Sequence, residues 1–141
     1  MGSRSAIGMK NEKGQIEAIY CHWDGYPEWV GKILVENYDT KEKVEELLAL
    51  GDLSSLGKRV KPNEDEIHTY ENPVDDVTIA YHRDRGEELN PAGTYSSIEE
   101  FITEFKEAWC SYFYVFDNGD WYVYEDSNDN KKLVKELLKG E

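Results

Sequence analysis

The sequence feature that most constrains the fold is the pair Asn118-Gly119, set between two aromatic segments, Tyr112 to Phe116 and Trp121 to Tyr124. Asn-Gly favours the type I′ turn, whose twist matches that of two paired strands. The sequence therefore predicts a tight antiparallel hairpin at this place. Large residues occur on both alternating sides of the hairpin. This pattern predicts either an exposed aromatic face suited to a subunit interface, or a strand pair buried on both faces.

Further strands are predicted from shorter patterns. Ile7 to Met9 and Ile16 to Tyr20 flank a polar connector that ends in Gly14, which is typical of a second β-hairpin. Val77 to Tyr81 is rich in β-branched residues and predicts one more short strand. Asp52 to Gly57, by contrast, is predicted to form one further turn.

Four helices are predicted from apolar residues at helical spacing. Each begins at a residue that favours a helix start: Pro27, Asp39 or Thr40, Ser96 with Glu99 as a capping box, and Asn130. Gly51 supplies a stop for the second helix. The predicted apolar faces are Val30, Ile33, Leu34 and Tyr38; Val44, Leu47 and Leu48; Phe101, Ile102, Phe105, Ala108 and Trp109; and Leu133, Val134, Leu137 and Leu138.

Hairpins separated by helices exclude a simple alternating βαβ chain. The 141 residues match the length of one ordinary domain, and no internal repeat or linker divides them. The sequence therefore predicts a single α+β domain over residues 1–141. Its sheet is expected to be antiparallel or mixed, with about four helices packed on it.

Charge narrows the range of partners. Thirty acidic residues against sixteen basic ones leave a formal net charge of −14, which disfavours direct binding of nucleic acid and of anionic membranes. No apolar run approaches the roughly 20 residues that span a bilayer. The same acidity can attract the basic groove of a nucleic-acid enzyme, or can simply keep the protein in solution.

The cysteines indicate a reduced, cytoplasmic protein, because Cys21 and Cys110 are far apart and no CxxC pair is present. Both are expected to be core residues. A zinc site drawn from Cys21, His22, His82 and Cys110 lacks the usual ligand spacing, so neither a metal nor another cofactor is predicted.

Two segments concentrate titratable and aromatic residues just after predicted strands: Tyr20 to Pro27, and Tyr81 to Gly86. Each has a His and an Asp two residues apart, and the two segments are expected to converge. In one interpretation the histidines contact a polar ligand, the arginines hold phosphates, and Trp23 or Tyr26 stacks on a base. In the other, the aspartates only cap turns while the aromatic residues pack. The candidate ligand-binding residues are Arg4, His22, Trp23, Asp24, Tyr26, His82, Arg83, Asp84 and Arg85.

No catalytic residue is predicted. Cys21 and His22 are neighbours on a strand and therefore point to opposite faces. Ser54 and Ser55 lack the elbow motif of a serine nucleophile, and His82-Arg83-Asp84 imitates a kinase catalytic loop without the rest of a kinase. An enzyme would need a convergent carboxylate, histidine or metal site that the sequence does not display.

Four motifs together resemble small phage and prophage proteins: Arg4-Ser5-Ala6-Ile7, Tyr20-Cys21-His22-Trp23-Asp24-Gly25-Tyr26-Pro27, Gly51-Asp52-Leu53-Ser54-Ser55-Leu56-Gly57 and His82-Arg83-Asp84-Arg85-Gly86. The resemblance covers most of the first 90 residues. It implies a viral accessory role in the cytoplasm of the host cell. Small non-enzymatic phage proteins often act against host immunity, and the Thoeris anti-defence sponges do so by sequestering a nucleotide signal.

Two hypotheses follow. The first is non-catalytic sequestration of a small nucleotide-like anion, an immune signal, in a pocket between subunits of a homo-oligomer, because the chain has few arginines and Arg83 and Arg85 both lie in the second segment. The alternative is an acidic DNA mimic that binds a host defence protein, namely a nuclease, CRISPR or restriction complex, through its nucleic-acid groove.

Overall fold

The computed structural model describes residues 3–125 and 131–139. These residues form one mixed sheet with helices on it, so the predicted α+β class is confirmed. The strands are β1 Ser5–Lys10, β2 Ile16–Cys21, β3 Leu53–Ser55, β4 Ile79–Ala80, β5 Gly93–Tyr95, β6 Tyr112–Asp117, β7 Asp120–Tyr124 and β8 Lys132–Leu133. The helices are α1 Lys32–Asn37, α2 Lys41–Leu48, α3 Tyr81–Arg85, α4 Ile98–Lys106 and α5 Val134–Lys139.

Both predicted hairpins are confirmed. β1 pairs antiparallel with β2, and β6 pairs antiparallel with β7 through a turn in which Asn118 (φ 52°) and Gly119 (φ 84°) both adopt positive φ. β1 and β6 then pair in parallel, which makes the sheet mixed. The strand order is β4-β3-β2-β1-β6-β7-β8, and β5 also pairs with β2.

Both faces of this sheet are buried. One face packs against α1, α2 and α5, and it includes Tyr114 and Trp121 of the second hairpin. The other face packs against α4 and includes Phe113 and Tyr124. Of the two interpretations of the aromatic hairpin, the strand pair buried on both faces is therefore the one observed.

The first two helices begin close to the predicted residues. Pro27 opens a π-helical turn, Pro27–Gly31, which runs directly into α1. Thr40 caps α2, because its side-chain oxygen accepts a hydrogen bond from the Lys43 N–H at 3.3 Å. Gly51 ends this region with φ 77°, a left-handed value that glycine adopts without strain.

The third predicted helix, α4, is shifted and shorter than expected. Its cap is Ser97, which accepts a hydrogen bond from the Glu100 N–H, whereas the Ser96 hydroxyl bonds to the Glu100 carboxylate. The helix ends at Lys106, so assigning Ala108 and Trp109 to its apolar face was wrong. Trp109 has φ 68° and 78% of its surface exposed, because the chain reverses there and turns the indole into solvent.

Three other predictions need correction. Asp52 to Gly57 is not a further turn, because Leu53–Ser55 pairs as β3 with both β2 and β4 and buries Leu53 completely. The strand predicted from Val77 to Tyr81 is confined to β4, and Tyr81 already begins α3. The last helix begins at Val134 after the short β8, and its predicted cap Asn130 lies outside the described residues.

None of the helices within residues 3–125 and 131–139 combines the length and apolar character needed to cross a bilayer.

Candidate ligand-binding surface

The two predicted segments meet at Asp52, a residue that was not among the candidate ligand-binding residues. The outer edge of β2 pairs first with β5 and then, at Cys21, with β3. Between these partners the Tyr20 N–H donates to the Asp52 carboxylate at 3.1 Å. The Asp52 carbonyl accepts from the Tyr81 N–H at 3.3 Å. Because Asp52 precedes β3 and contacts both backbones, the ends of β2 and β4 are held on either side of β3.

At the end of β2, a cluster of three aromatic side chains remains partly exposed. The Tyr20 hydroxyl and His22 Nδ1 are 2.7 Å apart, and the His22 ring meets Trp23 edge-on at 4.7 Å between centroids. Trp23 keeps 45% of its surface exposed. Strand alternation turns Cys21 to the opposite face, where it is fully buried, so the predicted separation of Cys21 from His22 is confirmed.

The protonation states of Tyr20 and His22 make one a hydrogen-bond donor and the other an acceptor. Burial raises the pKa of Tyr20 to about 12, so its hydroxyl keeps its proton. Burial, and secondly the positive charge of Arg4, lower the pKa of His22, so the imidazole is neutral at neutral pH. A neutral Nδ1 can accept from the tyrosine hydroxyl, which leaves the Nε2–H for a ligand.

Arg4 connects this group to the residues that follow α4. Its guanidinium donates to the Ala108 carbonyl at 3.5 Å, a long hydrogen bond, and its own carbonyl accepts from the Ser111 N–H at 2.8 Å. Trp109 lies between those two positions and holds its exposed indole at a positive φ. A bulky residue in this conformation costs about 1–2 kcal/mol, and such strain is concentrated at functional sites.

Arg85 lies on the other side of the surface, next to Tyr81. Its guanidinium is 5.1 Å from the Tyr70 ring centroid and 5.8 Å from that of Tyr81. Its Nε also forms an ion pair with Glu87 at 3.1 Å, and half of the side chain remains exposed. Both contacts are of the kind that solvent weakens, so the guanidinium can exchange them for an anion.

Arg83 and Asp84 have a different role, since their side chains face the protein. Arg83 donates to the carbonyls of Val60 and Thr78 and to both oxygens of Asp84. Asp84 also accepts from the Ala80 N–H at 2.8 Å. These contacts hold the segment 58–78 against the edge strand β4.

His68 completes this internal clamp. Its Nδ1 accepts from the Val74 N–H at 2.9 Å, and its Nε2 lies 3.3 Å from Asp84, off the line of a hydrogen bond. Burial acts to raise the pKa of Asp84, but the hydrogen bonds from Arg83 and Ala80, and the charge of Arg83, lower it overall. Asp84 is therefore a buried carboxylate held ionised by the fold.

The remaining candidates have local contacts. His82 Nδ1 is 2.7 Å from the Glu87 carbonyl oxygen. Asp24 adopts φ 56°, and Tyr26 precedes the turn that opens at Pro27. Gly25 fixes both, because its carbonyl accepts from the Tyr114 hydroxyl at 2.6 Å and a Cβ there would lie 2.7 Å from the Ser5 Cβ. This turn positions Trp23.

The structure thus brings together some of the predicted residues and adds others. We call the resulting group the aromatic surface; it comprises Arg4, Tyr20, His22, Trp23, Tyr81, Arg85 and Trp109. Tyr20, Tyr81 and Trp109 were missed because each looked like a strand or helix core residue. No local signal in the sequence distinguishes them, since their exposure depends on Asp52 and on the reversal after α4.

The arrangement offers stacking faces and cationic groups rather than a nucleophile. Cys21 and Cys110 are buried free thiols, as predicted, and burial raises the pKa of each to about 12. Within residues 3–125 and 131–139, no three His, Cys, Asp or Glu side chains are grouped closely enough to hold a metal ion.

No family model matches this chain, and no curated protein and no solved structure is significantly similar to it.

Proposed function

We propose that the chain is a phage-type accessory protein that acts without catalysis, by sequestering a small nucleotide-like anion on the aromatic surface. The observation that carries the proposal is the meeting, at Asp52, of an aromatic segment and a segment that contains Tyr81 and two arginines. The host cytoplasm is the compartment where such a ligand, an immune signal, would be met.

The chemistry of the surface supports this ligand class. Trp23 and Trp109 offer exposed indoles on which a base can stack, and stacking on an aromatic side chain contributes about 1–3 kcal/mol per base. Arg4 and Arg85 have weak internal partners, and an arginine fork binds phosphate through two parallel hydrogen bonds. Arg83 is the less suitable anion contact, because carbonyls and Asp84 already occupy its donors.

A second copy of the chain would complete the site. Small-molecule sites usually enclose most of the ligand surface, whereas Trp23 and Trp109 are open to solvent in the single chain. Packing two such surfaces against each other, with the ligand between them, would bury these indoles. We therefore propose a homo-oligomeric sponge.

The first test is to denature the purified protein, search the released small molecules by mass spectrometry, and measure thermal stabilisation by a nucleotide panel. We expect an intact nucleotide in near-stoichiometric amount, or stabilisation of about 3 kcal/mol when ligand is at a hundredfold excess over Kd. Trp23→Ala and Arg85→Gln should each remove most of this stabilisation.

Lys13→Gln is the matched control for Arg85→Gln. It removes the same charge from an exposed residue in the turn at the opposite end of β2. Equal losses in both variants would mean that only net charge matters, and would contradict the proposed site. An empty protein that responds to no nucleotide would contradict the ligand class.

The second candidate function is the acidic DNA mimic, favoured by the exposed carboxylates of Glu42, Glu45 and Glu46 on α2. None of the three forms an ion pair with a described residue. Reversing the charges of Glu45, Glu46, Glu64 and Asp65 should weaken a complex with a host nuclease. A complex that is insensitive to salt would argue against mimicry.

A further inference from the structure

A cleft of about 630 Å³ lies away from the aromatic surface, beside the start of α1. Its size is within the usual range of binding sites, about 300–1,000 Å³. One wall is the turn and helix from Glu28 to Glu36, and the opposite walls are the segments 55–58 and 73–79. None of the candidate ligand-binding residues named from the sequence lines it.

The cleft has a buried apolar floor and an aromatic rim. Ile33, Leu56 and Val77 line it and are each less than 8% exposed. Trp29 at the rim keeps 47% of its surface exposed, although its neighbours Val30 and Ile33 are buried. An indole at the edge of an apolar floor can pack against an aliphatic stem and hold a cation over its ring.

The walls are fixed by hydrogen bonds, so the cleft exists before a partner arrives. The Arg59 N–H donates to the Asp76 carbonyl and the Thr78 N–H donates to the Arg59 carbonyl, both at 2.8 Å. Gly57 allows the two segments to touch, because a Cβ there would lie 2.5 Å from the Asp76 carbonyl oxygen. A preformed wall lowers the ordering cost of binding.

The charges of the cleft select a cationic occupant. Four carboxylates line it, those of Glu28, Glu36, Asp75 and Asp76, against the two ammonium groups of Lys32 and Lys58. None of the four carboxylates forms a hydrogen bond or ion pair with a residue in the described part of the chain. With a net charge of −14 on the whole chain, an anion is repelled here and a basic group is attracted.

We infer that this cleft, here named the acidic cleft, binds a basic segment of a partner protein in which arginine or lysine alternates with aliphatic residues. The volume exceeds that of one side chain, which favours a stretch of polypeptide over a single amine. Guanidinium groups would pair with the carboxylates of Glu28, Glu36, Asp75 and Asp76, while aliphatic groups cover Leu56 and Ile33. The inference is independent of the nucleotide proposal, because the two surfaces share no residue.

The probe is a fluorescein-labelled nonapeptide in which Arg alternates with Leu, titrated by fluorescence anisotropy, with a peptide carrying Glu in place of Arg as reference. We expect the basic peptide to bind and the acidic peptide not to bind. The double variant Asp75→Asn/Asp76→Asn should weaken binding about tenfold, and Trp29→Ala about threefold.

Glu104→Gln/Glu107→Gln is the matched control, since it removes two exposed carboxylates at the end of α4, on the other face of the sheet from the cleft. It should leave the affinity within about twofold of the unsubstituted protein. An equal loss in both double variants would overturn the inference, since general charge attraction would then explain binding. Absence of binding by the basic peptide would also overturn it. Thermal stabilisation of the Asp75→Asn/Asp76→Asn protein by nucleotide is measured separately, because it tests the aromatic surface and not the acidic cleft.

Discussion

Residues 20–25 and 81–86 have nearly the same order of residue types, yet the side chains at their centres lie in opposite environments. Each begins with tyrosine, continues with a His and an Asp two residues apart, and ends with glycine. In the first segment His22 and Trp23 remain at the surface. In the second, Arg83 and Asp84 face inward and hold the segment 58–78. Like sequence patterns thus place His22 and Trp23 on the exposed aromatic surface, but fold Arg83 and Asp84 into an internal clamp.

The difference arises from neighbours distant in sequence. Asp84 accepts hydrogen bonds from Arg83 and Ala80, and its carboxylate is only 4% exposed. Asp24 accepts no side-chain hydrogen bond from a described residue and instead allows a turn with φ 56°. A carboxylate with several buried partners is costly to remove, whereas one that faces solvent is not.

The largest expected change in the free energy of unfolding comes from replacing Asp84, and Asp24 is its comparison. Asp84→Asn should lower the free energy of unfolding by about 3 kcal/mol, because it leaves Arg83 without its anion and turns an acceptor into a donor. Asp24→Asn should change it by less than about 0.5 kcal/mol, since asparagine tolerates positive φ. Urea denaturation measures both, and equal effects would abolish the distinction between the segments.

The stabilisation that the ionised Asp84 carboxylate provides should be lost in acid. The pKa of Asp84 is lowered in the folded protein, mainly by the hydrogen bonds from Arg83 and Ala80 acting against burial. Its contribution is therefore fully present above the ordinary carboxyl pKa of 3.8 and is lost as the pH falls through the lower folded value. The amide introduced by Asp84→Asn does not titrate, so the difference in unfolding free energy between wild type and this variant should shrink in acid. A difference that persists unchanged at about pH 2 would contradict this assignment.

Two arginines two residues apart give the next comparison. Arg83→Ala should cost about 2 kcal/mol, because three sets of hydrogen bonds to carbonyls and Asp84 are lost. Arg85→Ala should cost only about 0.5 kcal/mol, since its contacts are exposed. Arg85→Ala, however, should be the variant that weakens nucleotide stabilisation. Loss of binding in Arg83→Ala with full stability would reverse the two roles.

Part of the fold could be predicted from local sequence patterns. The Asn118-Gly119 turn and the apolar faces of α1 and α2 were predictable, because turn chemistry and helical spacing are local signals. The strand β3 was not, since Leu53 becomes extended only through pairing with β2 and β4. The order of strands also depends on contacts between distant segments, which one sequence does not encode in its local pattern.

The candidate site was predictable in location but not in composition. A His and an Asp after a strand end indicated both segments, and Asp52 does bring the segments together. Which side chains remain exposed depends on the segment 58–78, because Val60 and His68 contact Arg83 and Asp84, whereas no hydrogen bond or ion pair joins this segment to the described residues 20–25. The acidic cleft was missed altogether, since its carboxylates come from segments about forty residues apart in sequence.

The smallest expected effect tests the strained end of the aromatic surface, next to the first segment. Trp109→Gly should raise the free energy of unfolding by about 1 kcal/mol, because glycine adopts φ 68° without the steric cost of a side chain. Trp109→Ala removes the indole but keeps a Cβ, so its stability should stay within about 0.5 kcal/mol of wild type. Both variants should lose nucleotide stabilisation equally if the indole stacks on the ligand. If stability rises in the glycine variant and binding is unchanged in both, Trp109 is strained without contacting the ligand, and the surface narrows to the residues around His22 and Tyr81. If the free energy of unfolding falls in the glycine variant, removing the Trp109 side chain relieves no backbone strain. The exposed surface near Trp109 would then not differ in strain from the buried clamp around Asp84.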